Sequence, residues 1–231
     1  MKKAILLTLL ITFLGGMTTY SQQKPFVFGF KGGPTLGWMK PDAKGYESDG
    51  TKVGFTWGFI ADFFLMENYG IATGFDVVFI GGGLTMPASI ENSDETVNGS
   101  LNRKYKLKYI QIPLTFKMRT RELGKFRIYG QIGLGTNFLI GAKADDEFIP
   151  EAGGSISDDN IDIYDDITFM RESLILGAGV EFNLGGSTNL MAGFTFNNGF
   201  MDILKGTNTS APGINNNAKA NYVAFEVGIV F

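Results

Sequence analysis

Apolar and polar residues alternate with a period of two over most of the chain after Lys24, and this is the period of a β-strand. The stretch NYVAFEVGIVF (221–231) shows it most clearly, because every second residue from Val223 to Phe231 is apolar. The alternation predicts eight strands, at about 26–38, 52–64, 70–84, 104–118, 126–142, 168–184, 187–199 and 220–231. These segments exceed the roughly five or six residues of soluble strands. They suit a tilted membrane strand of about 9–11 residues with extensions.

The segments between the predicted strands differ in length. Three are short (65–69, 120–125 and 185–187), and the four between them are long (39–51, 85–103, 143–167 and 200–219). Short turns on one side and long loops on the other are typical of a transmembrane β-barrel. An even number of strands also brings both ends of the barrel to the short-turn side.

The two faces of the predicted strands separate a membrane barrel from a soluble one. One face carries large apolar residues, as at Phe26, Phe28 and Phe30, and the other carries small, polar or charged residues. The exposed face of a soluble barrel would be rich in Lys and Glu, whereas glycine indicates a crowded lumen of eight strands. We therefore predict an all-β fold, an eight-stranded antiparallel outer-membrane β-barrel, with a soluble lipocalin-like barrel as the weaker alternative. Closure pairs the last strand with the first, because unpaired backbone groups in lipid cost several kcal/mol.

The start of the chain predicts a secretory signal peptide at 1–21. A short basic region precedes the apolar run AILLTLLITFLGG (4–16), and the small-residue site TYS (19–21) follows it. The run is shorter than the roughly 20 residues of a spanning helix. The mature chain, 22–231, shows no linker, so we predict a single barrel domain.

Composition narrows the function classes. The chain has no cysteine and no histidine, which excludes disulfides, thiolate metal sites and the usual general base. Its net charge of −3 offers no basic face to nucleic acid. We therefore expect no enzyme activity, no cofactor and no nucleic-acid partner, and we expect a monomer.

Three stretches resemble known bacterial families. The last strand resembles the C-terminal signal of outer-membrane barrels, which implies recognition by the barrel-assembly machinery; the matching residues are Tyr222, Val227, Ile229 and Phe231. FGFKGGPTLGW (28–38) and KYIQIPLTFKMR (108–119) resemble strands of PorT-type outer-membrane β-barrel proteins of Gram-negative bacteria. This resemblance covers about 26–231 and implies location in the outer membrane. The best-known member of that family serves type IX secretion.

Seven charged residues are predicted to point into the lumen: Lys31, Asp62, Asp76, Lys117, Arg171, Glu181 and Glu226. One interpretation is an ion path, or a carboxylate pair for acid–base chemistry. The favoured interpretation is a plug of mutually paired charges, since buried charges need partners. Four acids against two lysines in the lower half leave an excess of negative charge. Pro113 lies mid-strand and is expected to interrupt the ladder there.

The acidic segment 143–166 and a run of lysines are candidate binding sites outside the lumen. Five aspartates could offer oxygen ligands to Ca²⁺, although their spacing is not that of an EF-hand: Asp158, Asp159, Asp162, Asp165 and Asp166. The alternative is a solvated external loop. The alternation puts Lys104, Lys106 and Lys108 on the outer face above the lipid, where they could meet lipopolysaccharide phosphates.

These observations predict an integral outer-membrane protein with a largely plugged lumen and a structural or interaction role through its long external loops. Two alternatives stay open: a narrow pore for ions or small solutes, and an accessory component of type IX protein secretion. The expected partners are outer-membrane lipid and lipopolysaccharide, the barrel-assembly machinery, and a secretion or surface partner that the sequence does not identify.

Overall fold

A computed structural model describes residues 25–92 and 95–231 of the chain. The predicted signal peptide, 1–21, lies outside the described residues. Within the described part, no helix is both long and apolar enough to cross a membrane.

The described residues form nine β-strands and one 3₁₀ turn, Tyr164–Asp166. The strands are β1 Phe26–Pro41, β2 Glu47–Met66, β3 Tyr69–Asn92, β4 Glu95–Arg119, β5 Phe126–Pro150, β6 Ile156–Asp162, β7 Met170–Gly185, β8 Thr188–Gly199 and β9 Ala218–Val230.

Eight of these strands close into an antiparallel ring, in the order β1-β2-β3-β4-β5-β7-β8-β9. The first and last strands pair from Gly29 opposite Val230 up to Pro41 opposite Ala218. β6 stands outside the ring and extends the sheet beside the upper part of β5. The predicted eight-stranded barrel is confirmed, and the apolar last strand is its seam, where pairing leaves no open edge.

Large apolar side chains lie on the outside of the ring and small or polar ones on the inside. Phe30, Leu114 and Phe194 are each about 60% exposed, at 59%, 61% and 61%. Such an arrangement would be unfavourable in water and is the one that lipid stabilises. Outward rings also contact across strands, as Phe59 does with Phe75 at 6.2 Å between ring centres.

The long-loop prediction is wrong for three of the four segments. Residues 85–103 are mostly strand, because β3 and β4 continue as a paired hairpin up to Asn92 opposite Glu95. β5 runs to Pro150 and β6 pairs with it, so 143–167 is largely sheet. The segment 39–51 contracts to a connection at 42–46, and only the last of the four stays irregular over most of its length. Above the lipid the alternation continues with its sense reversed: Met86 and Leu107 are buried in the interior, whereas Lys104 is exposed on the outside. The outer face therefore stops being apolar while the backbone ladder continues.

The expected ladder interruption at Pro113 is confirmed. Pairing of β3 with β4 stops between Ala72–Thr115 and Asp76–Gln111 and then resumes in the same register. Pro113 falls in this gap, where its carbonyl oxygen accepts a hydrogen bond from the Thr73 hydroxyl at 2.7 Å. Proline has no N–H to donate, so the gap follows from its chemistry.

The upper part of the barrel interior is an apolar core. Met39, Leu84, Leu107 and Leu139 are at most 2% exposed and belong to one buried cluster. β1 approaches β3 closely enough that a Cβ on Gly82 would lie 2.6 Å from the backbone nitrogen of Met39. Glycine is therefore required where these two strands meet.

Candidate functional site

The first charged cluster in the lumen is centred on Lys31 of β1. Its Nζ lies 3.1 Å from Asp76 Oδ2 and 3.0 Å from Glu226 Oε1. Gly58 stands between Lys31 and Asp76 in the strand register, and a Cβ there would lie 2.1 Å from Asp76 Oδ1. The missing side chain lets the lysine reach the carboxylate. Glu226 also accepts a hydrogen bond from Thr195 at 2.7 Å.

The second cluster is centred on Lys117 of β4 and spans the lumen. Its Nζ lies 2.7 Å from Asp62 Oδ2 on β2 and 2.8 Å from Glu181 Oε1 on β7. Neither β2 nor β7 is a neighbour of β4 in the ring, so these contacts cross the interior. The side chains of all three residues are at most 4% exposed.

The second cluster contains a cation that sequence reasoning missed, Arg119. Its Nη1 lies 3.9 Å from Glu181 Oε2, and its guanidinium stacks 3.5 Å from the ring centre of Phe64. Arg119 lies two residues beyond Lys117 on the same strand face, which is the signal that could have found it. It reduces the excess of negative charge expected from four acids and two lysines.

The two clusters line a common cavity of ≈ 40 Å³ in the lower lumen. That volume corresponds to on the order of three water molecules. Six of the seven predicted lumen residues are thus brought together in two groups; Arg171 is the exception.

Arg171 lies apart from the carboxylates in a buried polar network. It is 0% exposed, donates a hydrogen bond to Asn197 Oδ1, and lies 5.6 Å from the ring centre of Tyr109. Within the described ranges, its Nε and Nη1 have no hydrogen-bond partner. Asn197 continues the network to Gln111 at 2.8 Å. Gln111 Oε1 also accepts a hydrogen bond from the Tyr222 hydroxyl at 3.0 Å.

The four residues of the predicted assembly signal divide between the two faces of the barrel. Tyr222 is buried in the lumen network, whereas Val227 and Ile229 are 43% and 36% exposed on the outer face. The Phe231 ring lies 5.7 Å from that of Phe28 across the seam.

The five aspartates of the predicted cation-binding segment are not brought together. Asp158 and Asp162 lie in β6, opposite Asp146 and Lys143, and Asp159 lies between them in the same strand. The remaining two, Asp165 and Asp166, belong to the 3₁₀ turn. Over 25–92 and 95–231, no group of three or more acidic side chains could hold a metal ion.

Cations of β4 pair with acids of β5 instead. Arg103 forms a bidentate pair with Asp146 at 2.7 and 2.6 Å. Lys106 Nζ lies 2.5 Å from Asp145 Oδ1. Hydrogen bonds from Lys106 and from the backbone N–H of Asn160 lower the pKa of Asp145 below its usual value.

The predicted lysine run lies along this part of β4. Lys104 is exposed, and Lys106 donates a hydrogen bond to Asp145 of β5. Lys108 Nζ lies 5.0 Å from the ring centre of Phe79.

A closed ring of eight antiparallel strands with an apolar outer belt defines an outer-membrane β-barrel protein. The chain belongs to the family with an outer membrane protein beta-barrel domain, whose model matches residues 20–205. Its location is therefore the outer membrane. A comparison with curated protein sequences finds no match.

Several solved structures are similar in shape. Neisserial surface protein A is 11% identical, with 87% of this chain and 95% of that one covered and a TM-score of 0.45. OprG from Pseudomonas aeruginosa is 12% identical, with 90% and 97% covered and a TM-score of 0.45. Ail, the attachment invasion locus protein of Yersinia pestis, is 16% identical, with 90% and 100% covered and a TM-score of 0.40.

Proposed function

We propose that this protein is a closed, non-conducting and non-enzymatic barrel whose function is structural and interaction-based. The observation that carries the proposal is the pair of lysine clusters in the lower lumen. Lys117 joins β2, β4 and β7 across the interior, and Lys31 joins β1, β3 and β9. Ions crossing the barrel would have to displace these contacts.

Two barriers in series support a closed lumen. Separating one partner of a buried ion pair costs about 3–5 kcal/mol, and Lys117 holds two carboxylates. Above the charged clusters, the apolar core around Leu84, Leu107 and Leu139 fills the interior. An apolar segment that is packed shut offers no hydration to an ion.

The interaction role is assigned to the strand extensions rather than to flexible loops. Phe79 lies in the upper part of the apolar belt, and β3 continues from there to Asn92. The strand therefore extends about 40 Å beyond Phe79. β4, β5 and β6 form the rest of this raised sheet. Such extensions present side chains on a rigid surface, and short turns at the opposite rim are typical of the periplasmic side.

The test is single-channel conductance of the refolded mature chain, residues 22–231, in a planar bilayer. Heat-modifiable migration on a gel first establishes that the barrel has formed. We expect no steady conductance. A steady current that changes with Asp76→Asn or Lys117→Met, but not with the exposed control Lys104→Met, would instead establish the narrow pore.

We also propose the narrower PorT-type assignment and, with it, a part in type IX secretion as a second candidate function. Its support is that both motif stretches build the lumen clusters. Residues 28–38 of β1 supply Lys31, and 108–119 of β4 supply Lys117. Deletion of the gene is expected to trap secreted cargo proteins in the periplasm, and normal export would reject this role.

The barrel-assembly machinery is the proposed partner during insertion, and the assembled protein is proposed to be a monomer. Support for the first is the outward position of Val227 and Ile229 on the seam strand. Replacing Phe231 with Ala is expected to slow insertion in cells. Light scattering of the refolded barrel gives its oligomeric state.

A further inference from the structure

A groove lies on the outer wall where the apolar belt gives way to the strand extensions. Its volume is ≈ 570 Å³. Val53, Phe79 and Ile140 contribute the apolar part and are 72%, 37% and 42% exposed. Four lysines border it, one from β2, two from β4 and one from β5: Lys52, Lys106, Lys108 and Lys143.

Three of these lysines form a row across the sheet. Lys106 and Lys143 are directly opposite each other in β4 and β5. Gly81 of β3 is the register partner of Lys106 on the other side. A Cβ on Gly81 would lie 2.9 Å from Lys52 Cδ, so this lysine crosses β3 over the glycine. Like charges opposite each other in a sheet are destabilising unless an anion compensates them.

The charges in the row are only partly compensated by the protein. Asp162 of β6 also lines the groove and is the register partner of Lys143, although the two side chains form no ion pair. Lys106 is paired with Asp145 at 2.5 Å. Lys52, Lys108 and Lys143 form no ion pair with any carboxylate of the part of the chain that the structure describes. The Lys108 ammonium lies over the Phe79 ring. A lysine in this position can pack its aliphatic chain against apolar surface while its charged group faces the polar side of the groove.

We propose that this groove binds a phosphorylated glycolipid of the outer leaflet, with acyl chain against Val53, Phe79 and Ile140 and phosphate between the lysines. The order of the two surfaces matches an amphiphile embedded in the bilayer, since apolar contacts lie within the belt and cations lie at its rim. Lysine ammonium groups bind phosphate oxygens through charge-assisted hydrogen bonds. In the outer leaflet of a bacterial outer membrane this chemistry belongs to lipopolysaccharide. The inference rests on the proposed orientation of the barrel and not on a closed lumen.

The experiment measures lipid binding to the refolded mature chain in detergent by native mass spectrometry. The probes are diphosphorylated lipid A, the same lipid after phosphatase treatment, and inorganic phosphate as a competitor. The groove variant combines Lys52→Gln, Lys108→Gln and Lys143→Gln, which leaves the Lys106 ion pair intact. The control variant makes the same change in charge at exposed positions elsewhere on the extracellular side: Lys40→Gln, Lys44→Gln and Lys205→Gln.

Wild-type protein and the control variant are expected to retain lipid A equally. The groove variant is expected to bind about a hundredfold more weakly, because each lysine beside an anionic headgroup contributes about a factor of five. Equal binding by the two variants would overturn the site. Equal binding of phosphatase-treated lipid, or displacement by millimolar phosphate, would overturn the phosphorylated glycolipid as its ligand. Conductance measured on the same preparation reports separately on the closed lumen.

Discussion

Lys117→Met is the substitution that tests the lumen clusters most directly. The methionine keeps most of the side-chain volume but removes the ammonium group that lies 2.7 Å from Asp62 and 2.8 Å from Glu181. Both carboxylates are then left in an interior where they are 2% and 4% exposed. Arg119, whose Nη1 lies 3.9 Å from Glu181 Oε2, remains as a partner for Glu181.

The expected magnitude follows from this geometry. Removing one partner of a buried ion pair costs about 3–5 kcal/mol, because the remaining charge stays desolvated. With Arg119 still beside Glu181, the dominant cost is the stranded carboxylate of Asp62. We therefore expect the free energy of unfolding to fall by about 3–5 kcal/mol.

The assay is reversible denaturant unfolding of the refolded barrel in lipid vesicles, followed by tryptophan fluorescence at constant pH. Lys104→Met is the matched control, since it makes the same change at an exposed position of the same strand and is expected to cost less than about 0.5 kcal/mol. A rescue variant, Lys117→Met with Asp62→Asn, should recover most of the loss because it removes the stranded carboxylate and leaves Glu181 beside Arg119.

A loss below about 1 kcal/mol for Lys117→Met, with no recovery in the rescue variant, would refute the reasoning. It would mean that water already hydrates these carboxylates in the lumen. The narrow-pore alternative would then gain support from the same measurement.

Three further substitutions test other parts of the structure. Arg171→Met is expected to leave stability unchanged or raise it by about 1–3 kcal/mol in the same unfolding assay, because the guanidinium is buried without a carboxylate; a loss as large as that for a broken ion pair would contradict this. Gly82→Val is expected to prevent formation of the heat-modifiable species, since its Cβ would meet the backbone nitrogen of Met39 at 2.6 Å. Asp145 has a lowered pKa in the folded state, so its contribution to stability is present above the unfolded pKa of about 3.8 and is lost as pH falls through the folded value. An NMR titration of the Asp145 carboxyl should therefore have its midpoint below about 3.8, and Lys106→Gln should shift it back toward 3.8.

The strand period determined the fold and the direction of side chains in the membrane. Lys31, Asp76 and Glu226 were predicted to point inward from alternation alone, and they do. Alternation is informative there because lipid on one face and the packed lumen on the other require different types of side chain. The residue type at each position therefore indicates its face. Pro113 could be recognised in advance as a gap in the ladder for a different reason, because proline has no N–H to donate to the neighbouring strand.

The strand extensions and the face of Lys52 were decided by the tertiary structure. Alternation with Val53 and Phe55 would turn Lys52 inward, but a register shift of β2 against β3 between Thr51 and Thr56 brings Lys52 over Gly81 and into the outer groove. In the 85–103 hairpin the period of two persists, but the apolar residues lie on the inner face, where Met86 and Ala88 are buried. The strands therefore continue past the point where their outer face stops being apolar.

The sequence by itself determined an eight-stranded outer-membrane barrel, the identity of its seam strand and which charges enter its lumen. Only the tertiary structure decided that Lys117 joins Asp62 and Glu181, that Arg119 assists them, and that Arg171 stays apart. The physical reason is the range of the interactions. Burial of a side chain depends on its own strand, whereas an ion pair across the lumen depends on the register of strands that are not neighbours in the ring.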